Sequence, residues 1–327
     1  INYLSWSGIT EATEILPKFA PGLRDSDSEN PDGSNSPIMK LPFDLLNLCD
    51  QIFKIAAARI SDQEITTKLK QWIRDEKGYQ LIRAINRIGA TLSEINEAVA
   101  EYCNMTEGIN EHYSPTERWL RVALIRRFLS DNLNFIHIAK QFMAVHDFSK
   151  IIHRIIFPNG SHGKLGGKSA GMLLGQHILD KLQAHLTLPF SLKTPKTWFI
   201  TSDGLTEFIH YNNLEELNEI KYREIEEIRA NYPNVIQLMK NSRFPPGIIK
   251  SLAMALDDFG DTPLIVRSSS LLEDQLGASF SGKYKSLFLA NRGSKQKRLA
   301  ELMDAIAEVY ASVYSPDSLQ YRLERGF

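Results

Sequence analysis

Gly163-Lys164-Leu165-Gly166-Gly167-Lys168-Ser169-Ala170-Gly171 follows an apolar, strand-like segment and runs straight into Met172-Leu173-Leu174-Gly175, which has the texture of a helix. Such a junction lets backbone approach a ligand closely at the glycines. It also offers free N–H groups at the helix start and an ammonium group, the ingredients for holding phosphate. A plain turn and helix start would read the same way. The phosphate-loop pattern G-x-x-x-x-G-K-[ST] needs a glycine where His162 stands, and Gly163 is one position too close. Nor do Gly163, Gly166 and Gly171 have the spacing of the dinucleotide fingerprint.

Further along, Pro263-Leu264-Ile265-Val266-Arg267-Ser268-Ser269-Ser270 precedes Glu273-Asp274 and Gly277-Ala278-Ser279-Phe280-Ser281-Gly282. A β-branched strand ending in Arg-Ser-Ser-Ser delivers a guanidinium and hydroxyls to one edge, where they can hold anionic oxygens. An edge strand with a polar turn is the plainer account. Around these two stretches, short β-rich segments at 151–157, 197–200, 264–266 and 286–289 alternate with expected helices at 169–184, 203–211, 214–230, 246–259 and 295–314. The charged stretch from Glu215-Glu216 to Arg229 reads as a solvated helix face. Ser202-Asp203 reads as a helix cap with an acidic first-turn residue.

The chain before residue 151 has a different texture. Pro21 to Pro37 is rich in Ser, Asp, Asn, Gly and Pro and has little to bury, as in an exposed linker. From Leu41 to about Phe148 the apolar spacing is helical, with Phe43, Leu46, Ile52, Phe53 and Ile55-Ala56 on one face and Ile82, Ile85 and Ile88 on another. Ser114-Pro115-Thr116-Glu117 places a capping serine, a proline at the first helical position and a glutamate three residues after the cap. A long helix through Trp119, Val122, Ile125 and Phe128 should follow. The expected organisation is a segment 1–40, an all-helical domain 41–150 and a mixed α/β region 151–327, an α+β chain overall.

With 38 basic and 39 acidic side chains the net charge is -1, so no global field collects nucleic acid and any anion site must be local. Cys49 and Cys103 lie far apart in helical patterns, which fits buried thiols in a reducing compartment. There is no apolar run of the ~20 residues that a membrane span needs, and the start lacks a charged region followed by an apolar one. A cytoplasmic protein is expected, with no membrane partner.

Together the two stretches carry a resemblance that neither has alone. Leu165-Gly166-Gly167-Lys168 with Ser169-Ala170-Gly171, then Phe199-Ile200-Thr201-Ser202, then Val266-Arg267-Ser268-Ser269 with Glu273-Asp274 and Ala278-Ser279-Phe280-Ser281-Gly282, occur in the order found at the front of one nucleotide domain. That domain belongs to the phosphoenolpyruvate synthase and pyruvate phosphate dikinase family. The end of the chain is similar too, through Tyr310-Ala311-Ser312-Val313-Tyr314 and Tyr321-Arg322-Leu323-Glu324-Arg325-Gly326-Phe327. The resemblance covers roughly residues 155–327. It implies a partial nucleotide-binding domain of the ATP-grasp type, preceded by helices that match no part of the family.

By resemblance, Lys168 contacts the nucleotide phosphates and Arg267 reaches them from the facing strand. Gly166, Gly167, Ser268, Ser269, Ser279 and Gly282 are candidates for phosphate-side contacts or a mobile flap. The resemblance implies ATP with magnesium as cofactor, the magnesium ligands lying in a later part of the domain. It implies a dikinase-like phosphotransferase, in which ATP phosphorylates a histidine and the phosphoryl group passes to pyruvate. This fragment is not expected to turn over alone, and none of its histidines sits in the family's Thr-x-His pattern. The helices before residue 151 would dock the remainder of the enzyme or another protein, or cap the nucleotide domain. Two other readings stay open: a non-catalytic regulatory module that keeps the fold, and a kinase acting on a different acceptor.

Overall fold

The computed structural model describes residues 1–19, 45–106, 114–183, 192–271 and 282–326. The linker expected at Pro21 to Pro37 lies outside the described residues, as do Glu273-Asp274 and Ser279. In chain order the helices begin with α1 (Asn2–Trp6), α2 (Thr10–Phe19), α3 (Leu45–Arg59) and α4 (Asp62–Asn86). They continue with α5 (Leu92–Thr106), α6 (Pro115–Phe128), α7 (Leu133–Phe142) and α8 (Val145–Ile152). Then come β1 (Ile155–Ile156), α9 (Gly167–Gln183), β2 (Phe199–Ile200), α10 (Gly204–Tyr211), α11 (Ile225–Lys240) and α12 (Pro246–Phe259). The order closes with β3 (Leu264–Arg267), β4 (Ser286–Leu289), α13 (Lys295–Ala311) and α14 (Pro316–Arg325). The described residues are mostly helical with few short strands, which bears out the α+β expectation at that coarse level.

The chain divides into two compact units, Ile1–Arg74 and Asp75–Phe327. In the first, Leu4, Ala12 and Ala56 form a small core with Tyr3, Ile9, Ile52, Ile55, Ile60 and Ile65 against it. The apolar face expected on α3 is only partly used, because Leu46 and Phe53 are exposed.

The second unit is built on two cores. One joins Leu81, Ile82 and Ile85 of α4 to Ile95, Leu124, Phe128 and Phe148, and continues past residue 151 into Ile155, Leu165, Ala170, Leu173 and Phe199. The other gathers Ile156, Phe208, Met239, Leu256, Ile306 and Tyr314. Successive strand residues point to opposite faces, so β1 sends Ile155 into the first core and Ile156 into the second. β2 pairs with it in parallel, Ile155 with Phe199 and Ile156 with Ile200, and forms the same seam. Ile88 contributes to neither core and is 100% exposed, because α4 stops at Asn86.

The second strand pair is antiparallel, with Ile265 opposite Phe288 and Arg267 opposite Ser286. Leu264, Val266 and Leu289 pack on the second core, which leaves Ile265, Arg267, Ser286 and Phe288 exposed on the other face. The single helix expected at 214–230 is instead a 3₁₀ segment, Glu215–Tyr222, followed by α11. Glu224 has the extended backbone of a helix-cap position, which breaks the run, and α11 then continues through Pro233 to Lys240. Strand character expected over 151–157 is confined to β1, since α8 runs to Ile152.

The capping signal forms as expected. Ser114 accepts a hydrogen bond from the Glu117 N–H at 3.1 Å with Pro115 in the first turn, and its hydroxyl donates to Asp75 at 2.9 Å. The Glu117 carboxylate faces Arg121 at 3.0 Å in a buried ion pair along α6. Replacing Ser114 by Ala removes a helix cap and should lower stability by about 1 kcal/mol. Urea unfolding should show a lower midpoint with an unchanged slope.

Candidate functional site

β1 and β2 end side by side, and each is followed by the segment that builds the site: residues 161–167 after β1, and Thr201-Ser202-Asp203 after β2. Carboxyl ends of parallel strands are where open α/β structures place ligands. The Asp203 carboxylate gathers the first segment. It accepts hydrogen bonds from the Ser161 hydroxyl at 2.7 Å, the His162 N–H at 3.0 Å, the Gly163 N–H at 2.9 Å and the Thr201 hydroxyl at 2.6 Å. Asp203 stands at the N-cap position of α10 but makes no side-chain cap bond. The helix-cap reading of Ser202-Asp203 is therefore corrected, because the carboxylate reaches back across the strand end to the loop.

Burial is the largest influence on Asp203 and would raise its pKa. The hydrogen bonds from Thr201, Ser161, His162 and Gly163 outweigh it and hold the carboxyl below its ordinary 3.8. Glycine is required at 163 by space, since a Cβ there would stand 2.2 Å from Asp203 Oδ1.

Four successive peptide groups of this loop are held at both ends. The Ser161 carbonyl accepts from the Leu92 N–H at 2.8 Å, while the next N–H goes to Asp203. Arg127 Nη1 donates to the His162 carbonyl at 3.1 Å and to the Gly163 carbonyl at 3.3 Å. The amides that follow go to Asp203 and to Ser202 Oγ, the latter at 3.1 Å. The Lys164 carbonyl accepts from the Ser202 N–H at 2.9 Å, and the Leu165 N–H donates to the Phe128 carbonyl at 2.8 Å. A planar trans peptide points its C=O and N–H to opposite sides, so a partner on each side fixes its rotation. The Lys164 ammonium is paired with Asp131.

The loop then meets the strand end from the second sequence stretch. The Gly167 N–H donates to the Ser270 carbonyl at 2.9 Å, the Ser169 N–H donates to Ser269 Oγ at 3.0 Å, and the two serine hydroxyls lie 2.8 Å apart. Gly166 makes the approach possible, because a Cβ on it would fall 1.6 Å from the Ser269 carbonyl oxygen. The expectation of free N–H groups at the start of α9 is corrected here. Those of Gly167 and Ser169 are taken by the second motif.

Of the candidate residues, Gly166 lies against Ser269, while Gly167 bonds to Ser270, the next residue in the chain. Lys168 is half-buried in the first turn of α9, Arg267 is exposed at the end of β3, and Ser268, between Arg267 and Ser269, is half-buried. Gly282 is exposed with φ 77° just before β4, and Ser279 lies outside the described residues. Sequence reasoning missed Arg127, Asp131, Ser161 and the real task of Asp203. Each acts on a partner more than thirty residues away, and no local spacing records that. Among the described residues, no group of three or more His, Cys, Asp or Glu could hold a metal ion.

The family model for the pyruvate phosphate dikinase AMP/ATP-binding domain matches residues 162–327. The chain is similar to a phosphoenolpyruvate synthase of Deinococcus radiodurans, 27% identical over 169 residues, which covers 50% of this chain and 20% of the relative. It is similar to a rifampicin phosphotransferase of Bacillus subtilis, 26% identical over 169 residues, 50% of this chain and 18% of the relative. A phosphoenolpyruvate synthase of Aquifex aeolicus is 27% identical over 173 residues, 50% of this chain and 19% of the relative. The match thus spans about a fifth of the length of these curated relatives. No solved structure matches the chain.

Two outcomes test this geometry. Gly166→Ala forces backbone apart and should cost at least the ~1–3 kcal/mol typical of overpacking, read as a lower unfolding midpoint. For Asp203 the folded pKa is depressed, so its contribution to stability is present above the unfolded value and is lost as pH falls through the folded one. Asp203→Asn should therefore destabilise the chain at neutral pH, and its stability should fall less steeply than the unaltered chain's below about pH 3.8. Parallel acid-unfolding curves for the two would contradict this.

Proposed function

We propose, starting from the fact that this chain belongs to the family of the pyruvate phosphate dikinase AMP/ATP-binding domain, that it holds ATP for a dikinase-like phosphotransferase. The observation that carries the reading is the contact of Ser169 with Ser269 across a hundred residues of sequence. Lys168 precedes the first serine by one residue and Arg267 precedes the second by two. Successive Cα atoms are about 3.8 Å apart, so the two cations are rooted within a side-chain length of one region. That supports their joint action on one chain of phosphates.

Their roles would be electrostatic. In phosphoryl transfer, positive groups position the phosphates and offset charge as it redistributes, and little covalent chemistry falls to the protein. With the Gly167 and Ser169 amides engaged by Ser270 and Ser269, the side chains Lys168 and Arg267 carry most of the attraction in this reading. Ser268, Ser269, Ser279 and Gly282 would border the phosphates, and the exposed face bearing Arg267 would form one wall of an ATP-grasp-type cleft. Magnesium would come with the nucleotide. It binds well through phosphate oxygens with only one or two carboxylates, so the lack of an acidic cluster among the described residues is compatible with it.

The assignment gives the nucleotide role to residues 151–327, and to 41–150 a supporting role or the docking of the remaining enzyme or another protein. The chain resembles both a phosphoenolpyruvate synthase and a rifampicin phosphotransferase, at 27% and 26% identity, which favours ATP handling as the shared step and leaves the acceptor, pyruvate or a different molecule, to other parts. Among the described residues no helix is long and apolar enough to cross a membrane. We assign the work to the cytoplasm, where ATP is abundant and the free Cys49 and Cys103 stay reduced.

Calorimetry with magnesium and ATP tests the reading. The chain should bind weakly but measurably, and Lys168→Ala and Arg267→Ala should each weaken binding by about tenfold or more, the worth of one charge-assisted hydrogen bond. No pyruvate-dependent AMP should form. Absence of binding, or binding indifferent to both substitutions, would overturn the site.

A further inference from the structure

The family match begins at His162, yet the loop that opens it is held from outside the match. Ala90, Leu92, Arg127, Phe128 and Asp131, all on or beside α5 and α6, contact residues 161–165. Among these, Arg127 does so with a charged group on backbone carbonyls, its Nη1 donating to the two that flank Gly163. Glycine has no side chain to restrict its neighbouring peptides, so this is where the loop would rotate most easily.

We propose that Arg127 is a positioning residue for the nucleotide, and that through it the helices outside the family match set the phosphate affinity of the loop. The inference rests on the ATP reading above. Arg127 Nη1 holds the carbonyl ends of the peptides on either side of Gly163, while Asp203 and Ser202 hold their amide ends. With rotation blocked from both sides, the chain leaves Leu165 in a fixed direction and delivers Gly166, Gly167 and Ser169 against Ser269 and Ser270, with Lys168 between the last two of the three in sequence. Without Arg127 the carbonyl ends are released. Lys168 is then presented over a range of positions, and binding must first select the competent one.

A purely structural role fits less well. The helices stay joined to the loop by the Phe128 carbonyl and the Leu92 N–H, and to its surroundings by the shared core of Leu124, Phe128, Leu165 and Ala170. Burial lowers the pKa of Arg127, an effect that the nearby Asp203 partly offsets, and its Nη2 is buried with no hydrogen-bond partner among the described residues. A donor left so is a cost that stability alone would not favour. Clamping two carbonyls with one guanidinium gives a reason to bear it.

The test is calorimetry of the full chain with magnesium and ATP, for the unaltered protein, Arg127→Ala and Arg127→Lys, with the unfolding midpoint of each. Both variants should bind at least about tenfold more weakly. Arg127→Ala should recover much of that affinity in millimolar guanidinium but not in potassium chloride of the same ionic strength. Recovery by a small cation that restores the missing donors is not expected of a residue that merely supports the fold. If Arg127→Ala does not fold, Arg127→Lys, which keeps the alkyl stem and the charge, decides alone. Affinity equal to the unaltered chain in a folded variant, or equal recovery in potassium chloride, overturns the inference. No binding by the unaltered chain overturns the ATP reading itself and this inference with it, and the two failures are distinguished by that control.

Discussion

One carboxylate organises the site. Asp203 takes hydrogen bonds from two hydroxyls and two amides, drawing the end of β2 onto the loop that follows β1. A carboxylate is suited to this because it accepts on both oxygens and in several directions, so one side chain can satisfy donors that converge from a strand end and a turn. Its charge is offset locally. Arg127 lies close enough to feel it, and the Tyr310 phenol, already raised by burial, is pushed further toward its protonated form by the same charge. The loop is thus polar at its centre while resting on apolar surroundings, and its amides are satisfied without water having to enter.

Those surroundings are two separate cores, and the β1–β2 pair is the partition between them. Two residues per strand suffice, because alternation sends Ile155 and Phe199 one way and Ile156 and Ile200 the other. A strand buried on both faces cannot shift register by one residue without exchanging its contacts, so its ends are well fixed in space. The loop and Asp203 leave from those ends. Small strands therefore have a large effect here: they carry little of the hydrogen bonding but set the origin from which the site is built.

Between residues 75 and 151, α5, α6, α8 and the end of α4 are part of the same construction. The first core passes from α4, α5, α6 and α8 into Leu165 and Ala170, crossing the expected boundary between a helical domain and a nucleotide region. Backbone bonds to Leu92 and Phe128 and the guanidinium of Arg127 complete the seat of the loop. A glycine-rich segment has little internal order, and its conformation has to be imposed by neighbours. In this chain the neighbours come both from before the family match and from within it.

Local structure was legible in the sequence wherever its cause is local. The Ser114-Pro115 helix start, the helices at 246–259 and from Lys295, and the strands at 264–267 and 286–289 follow from caps, periodicity and β-branched runs, which act within a few residues. The order of the motifs was enough to identify the family, because it can be read directly along the chain without knowing which residues meet in space. The same local logic misread Ser202-Asp203 as a cap with an acidic first-turn residue, joined 214–230 into one helix and placed Ile88 and Phe53 on apolar faces. Which donor a carboxylate serves, and whether an apolar side chain meets another, depends on chain segments tens of residues away. The sequence determined the elements and the chemistry available to the site. Only the tertiary structure decided that Gly166 meets Ser269 and that Arg127 grips the loop, because those contacts exist only once two cores have closed on a pair of two-residue strands.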